Sequence, residues 1–146
     1  MRYMILALLA WTLSACSETP AQVEVSDATL YLHPVEGRPS AVYFTLKNIG
    51  DESDMFLSVE IEGAERGEIH TAEEKDGIAK MIHLSHLEIP GGREIVFERG
   101  SYHVMAFGMS DDVTAGDEVT ITLDFEKTGI VKTTALVKAL GSTSQQ

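Results

Sequence analysis

The 146-residue chain is poor in several residue types, and each scarcity closes off a class of chemistry. It has one cysteine, Cys16, so it can form no internal disulfide and no zinc site built on several thiolates. Basic residues are few: 11 Lys and Arg stand against 23 Asp and Glu, for a net charge of −12. That balance argues against nucleic acid or an anionic membrane surface as partner, and is compatible with attracting cations or a basic docking surface. No apolar run reaches the roughly 20 residues that a transmembrane helix needs, and no stretch keeps helical periodicity for three turns. The nucleophile elbow, the HExxH pattern and the glycine-rich phosphate loop are also missing, so an enzyme is not expected.

What is present begins with the apolar start. MRYMILALLAWTLSAC opens on Arg2, runs apolar from Met4 to Trp11 and ends Leu13-Ser14-Ala15-Cys16. The run suits the core of a secretory signal, and its ending resembles the bacterial lipobox, whose cysteine is acylated after cleavage. Residues 1–15 are thus expected to be a lipoprotein signal peptide and Cys16 the lipidation site; the alternative is an ordinary signal cut after Ala15. The resemblance implies a periplasmic protein bound to the membrane by its lipid anchor alone, with Ser17 favouring the outer membrane. Acylation of Cys16 would leave no thiol to act as ligand or nucleophile, and loss of Arg2 would take the net charge to −13.

Residues 16–22 read as the lipidated cysteine and a polar tether, 23–140 as one folded domain, and 141–146 as a frayed tail. Within the domain, short runs alternate with turn signals: VEVSDATLYL, AVYFTLKN, MFLSVEI, GEIHTA, AKMIHLS, REIVFE, YHVMAF, EVTITLDFE and IVKTTALV. Val119, Ile121, Leu123 and Phe125 alternate with Thr120, Thr122 and Asp124, the pattern of a half-buried strand. Strands at this spacing with glycine-containing turns predict an all-β sandwich or barrel. The acidic pairs Glu73-Glu74 and Asp111-Asp112 are read as solvated charge in turns.

Histidine and methionine cluster in one window, GEIHTAEEKDGIAKMIHLSHLEIPGGREIVFERGSYHVM. In its last strand His103 and Met105 are two residues apart and so face the same side. The spacing of His70, Met81, His103 and Met105, His-x10-Met-x21-His-x-Met, resembles the copper-binding motif of the periplasmic chaperones called PCu(A)C. AVYFTLKNIGDESD, LEIPGG and GDEVTITLDFEKTG are similar to other segments of that family, and the likeness covers nearly all of the expected mature chain, residues 40 to 137 most closely. The resemblance implies a cupredoxin-like β-sandwich in which His70, Met81, His103 and Met105 bind Cu(I). It further implies delivery in the periplasm to cytochrome c oxidase, through an oxidase subunit or a thiol-bearing Sco-type protein.

The donor chemistry agrees with that implication. Thioethers are soft and neutral and select Cu(I), and imidazole suits copper. Two of each would make a closed, neutral shell at one end of the sandwich. The chain also departs from the family: Thr71 stands where many members have a methionine, and the tail GSTSQQ lacks the His/Met extension some carry. His83 and His86 are additional. His83 shares a face with Met81 and is a candidate alternative or indirect ligand; His86 and His33 read as surface residues, Met55 and Met109 as core. A blue-copper carrier would need a cysteine ligand. A metal-free surface lipoprotein for adhesion or scaffolding would leave the His/Met spacing unexplained, and a copper buffer or resistance protein would share it.

Overall fold

The computed structural model describes residues 19–75 and 77–141. The expected signal peptide, Cys16 and nearly all of the expected tail lie outside the described residues. Ten strands make up the described chain: β1 (Val23–Leu32), β2 (Ser40–Asn48), β3 (Asp54–Ile61), β4 (Arg66–Lys75), β5 (Ile78–Leu84), β6 (Leu87–Ile89), β7 (Glu94–Phe97), β8 (His103–Phe107), β9 (Glu118–Phe125) and β10 (Gly129–Ala139). They form one sheet in the order β5-β4-β8-β2-β1-β10-β9-β3-β6, with β7 paired to β2. The pairing of β1 with β10 is parallel, and the other strand pairings are antiparallel.

The sheet curls into a nearly closed barrel because one face of each strand is apolar and must be buried. On β2, Val42, Phe44 and Leu46 point inward, while Ala41, Tyr43 and Thr45 face out. On β9, Val119, Ile121, Leu123 and Phe125 are buried, as their alternation predicts. Four phenylalanines fill the centre: the rings of Phe44 and Phe97 stack with centroids 4.4 Å apart, and those of Phe56 and Phe125 with centroids 5.2 Å apart. The curl brings β4 against β3 without hydrogen-bonding the two. At Gly67 an added Cβ would come within 2.7 Å of both Ile61 and the Val59 carbonyl, so the missing side chain permits the approach.

The end of the barrel nearest β1 is tied by polar groups. Buried Asn48 donates from its amide to the carbonyls of Glu52 and Ile89 and accepts from the backbone of Gln22 and Gly50. Buried Asp54 accepts from the backbone N–H groups of Met55, Lys127 and Thr128, and from the Thr128 hydroxyl at 2.6 Å. Burial opposes its ionisation, but these four donors outweigh it and hold its carboxyl below the usual range.

Some expectations need correcting. The sequence runs number nine, and the missing strand is β6, three residues paired to β3 and too short to show periodicity. Glu73 and Glu74 lie in β4, which continues past Ala72 because β5 pairs with it as far as Lys75. Met55 is not core. It sits between buried Asp54 and Phe56, so it takes the opposite, half-exposed face of β3. Met109 is half-buried against the core. His86 is exposed, but His33 is half-buried, and its Nδ1 accepts from the Val35 backbone at 3.0 Å.

Candidate metal centre

Three neighbouring strands, β5, β4 and β8, carry the predicted donors on their outward face. His70 on β4 lies directly opposite His103 on β8. Residues facing each other across an antiparallel pair project to the same side, and the two rings sit with centroids 5.8 Å apart. Met105, two residues beyond His103, is opposite Glu68, and Met81 on β5 is opposite Ala72. The two methionines therefore flank the His70–His103 row diagonally, one toward each end of β4. The core-facing neighbours Ile69 and Val104 are buried and pair with each other beneath the row. His103 is the first residue of β8, and the β4–β5 hairpin runs on past it. The candidate site is thus at the end of one strand but on the outward face of the sheet.

Met81, His103 and Met105 line one cavity of about 370 Å³, floored by Ala41 and Ala72. Lys80 and Arg99 also reach it, so its surroundings are more basic than the chain as a whole. His70 is not on that wall; it lies beside it, with its side chain 14% exposed. His103 is 7% exposed and Met81 60%. Two donors are thus held by their surroundings, while Met81 lies open to solvent.

Hydrogen bonds decide which ring nitrogens are free. Nδ1 of His103 donates to the Ser101 carbonyl at 3.0 Å, which leaves Nε2 as the lone-pair nitrogen of a neutral ring. His70 is arranged in the opposite sense. Its Nε2 donates to the Glu68 carboxylate at 3.1 Å, and its Nδ1 is buried without a hydrogen-bond partner. A buried nitrogen left unpaired is costly, and a metal ion is one partner that would satisfy it.

Glu68 was not among the sequence candidates. It stands two residues before His70 on the same strand face, which is the signal that could have found it. Arg66 and then His70 hydrogen-bond its carboxylate and hold it below the usual range. Arg66 is itself placed by Phe107, whose ring lies 4.1 Å below the guanidinium. A carboxylate on the remote nitrogen of a metal-binding histidine fixes its orientation and raises its basicity.

The structure brings His70, His103 and Met105 together and sets Met81 across the row from Met105. The additional His83 is directly opposite His70 on β5, with ring centroids 5.5 Å apart. Among the described residues, no three His, Cys, Asp or Glu side chains are placed to hold a metal ion as they stand.

The nearly closed β-barrel is that of a class of solved proteins, the PCu(A)C domains. The copper-bound PCuAC domain from PmoF2 matches with a TM-score of 0.67 over 82% of this chain and 95% of its own, at 21% identity. The Cu(I) form of DR1885 from Deinococcus radiodurans matches with a TM-score of 0.66 over 86% of this chain and 83% of its own, at 26% identity. Within that class the chain belongs to the LpqE-like family, named for a lipoprotein, whose model matches residues 23–137. The uncharacterized protein RP573 of Rickettsia prowazekii (strain Madrid E) is 31% identical over 113 residues, 73% of this chain. The match spans 62% of that relative's length.

Proposed function

We propose that this chain is a copper metallochaperone that binds Cu(I) through His70, Met81, His103 and Met105. The observation that carries the reading is the facing pair His70 and His103, each with one ring nitrogen committed to an oxygen acceptor and the other free, between two thioethers. Two imidazoles and two thioethers form a neutral, soft shell suited to a d10 monocation. The similarity to domains solved with copper supports the same reading.

Copper here is cargo, and release is ligand exchange. Exposed Met81 is the donor an incoming partner can displace first, while His103, buried and anchored to Ser101, is the last to let go. No substrate bond is made or broken, so the role is not enzymatic. The acceptor follows from the family resemblance: the copper site of cytochrome c oxidase, directly or through a Sco-type protein whose thiolate would outcompete a thioether. Acylation at Cys16 would hold the protein at the periplasmic face of a membrane, the outer one by the Ser17 argument.

The test is a competition titration of the purified protein against a Cu(I) chelator, followed by mixing with a thiol-bearing acceptor domain. One tightly bound Cu(I) with sulfur neighbours in X-ray absorption, passed on mixing, is the expected result. Tight binding without transfer would favour a copper buffer. A spectrum with only nitrogen and oxygen neighbours would sink the reading.

A further inference from the structure

Three imidazoles, not two, stand in one row across the sheet. His83 on β5 faces His70 on β4, which faces His103 on β8, and the successive ring centroids are 5.5 and 5.8 Å apart. Metal–imidazole bonds are about 2 Å long, so two rings on one ion have centroids within about 6.5 Å of each other. Both spacings fall inside that limit, while His83 and His103 stand two strands apart, about 10 Å between backbones, and must lean together over His70 to share an ion. The unpartnered Nδ1 belongs to His70, the middle ring of the row.

The charge around the row differs from that of the His/Met shell. The Glu68 carboxylate touches His70 and faces the same side of the sheet. Nitrogen donors beside a fixed negative charge suit a dication such as Cu(II), whereas thioethers suit the monocation. Met81 and His83 are two residues apart on β5, the outermost strand at that end of the sheet, and both are exposed. Either can turn toward His70, since exposed side chains change rotamer readily. The His83 ring must make that turn, because the three histidines do not surround one point as they stand.

We infer that this face binds Cu(II) through a second donor set, His70, His83 and His103, in which His83 takes the place Met81 has in the Cu(I) set. The inference rests on the copper reading of the same face and assigns it a second oxidation state. Water completes the tetragonal shell, and Glu68 balances the added charge while keeping His70 oriented. The two ions load separately, so no electron transfer is involved.

The test titrates the purified protein and two variants with Cu(II) buffered by glycine, and with Cu(I) against a chelator. Wild type should give a tetragonal Cu(II) electron paramagnetic resonance spectrum with coupling to three imidazole nitrogens. His83→Ala should lose one of those nitrogens and at least tenfold in Cu(II) affinity, with less than a threefold change for Cu(I). Met81→Ala should show the mirror image. An unchanged Cu(II) spectrum and affinity in His83→Ala would overturn the inference, and so would an equal loss of both ions in that variant. Failure of wild type to bind Cu(I), with Cu(II) still held at His83, would defeat the chaperone reading instead.

Discussion

At the scale of single residues, the proposed centre depends on which atom of each side chain is free. Glu68 makes the sharpest case, since it was no candidate ligand but commits His70 Nε2. Glu68→Ala should weaken Cu(I) binding by about 10–100-fold, the usual effect of losing a carboxylate behind a metal-binding histidine. Its melting temperature should hardly move, because partly exposed ion pairs contribute roughly 0–1 kcal/mol. Chelator competition and a thermal scan on the same sample check both halves. Protons offer a second handle. Only a neutral imidazole binds metal, so protons compete for the free protein and not the loaded one. Cu(I) affinity should therefore fall as the solution is acidified from pH 7.5 to pH 5. A flat profile between pH 5 and 7.5 would remove the histidines from the ligand set.

At the scale of elements, strand pairing positions the donors and a buried carboxylate steadies the barrel end. Asp54 joins the start of β3 to the β9–β10 turn through Lys127 and Thr128. Its folded-state pKa is depressed, so its stabilising contribution is present above the unfolded carboxylate value near 3.8 and is lost as pH falls through the lower folded value. Asp54→Ala strands several donors and should destabilise the domain by about 3 kcal/mol at neutral pH. The gap between wild type and variant should narrow on acidification below about pH 4, the usual carboxylate range. Denaturant melts at pH 7 and pH 3 measure this; a constant gap would mean that folding leaves the pKa of this carboxyl unshifted. Among the hydrophobic residues, Phe56→Ala should cost about 3–5 kcal/mol, because its ring is fully buried between Phe97 and Phe125. Met109→Ala should fall below the roughly 2–5 kcal/mol of a fully buried methionine.

At the scale of the whole molecule, copper should act as a ligand of the folded state. Binding to the native protein alone stabilises it by about 2.7 kcal/mol when free metal is 100 times Kd. Cu(I) should therefore raise the melting temperature of wild type but not of a Met81→Ala, Met105→Ala double variant; equal shifts would place the ion elsewhere. Anchoring is also a property of the intact chain. Cys16→Ser should move the protein from the membrane fraction to the soluble fraction, with Cu(I) affinity unchanged, because Cys16 is not among the four proposed ligands. Fractionation with an antibody against the folded domain reads the outcome.

The sequence by itself determined the all-β class, because alternation such as Val119 to Phe125 allows only a strand with one buried face. It also determined which donors were available: one cysteine, and a few histidines and methionines at a recognisable spacing. Local pattern could not supply β6, whose three residues are strand only because β3 offers a free edge, nor the half-exposed place of Met55. Tertiary structure alone decided that His70 faces His103, since register between strands far apart in sequence depends on how the sheet curls, whereas His83 faces His70 through the local register of the β4–β5 hairpin. It alone decided that Glu68 and Ser101 each take one nitrogen and leave the other free, because hydrogen-bond partners are set by position in space.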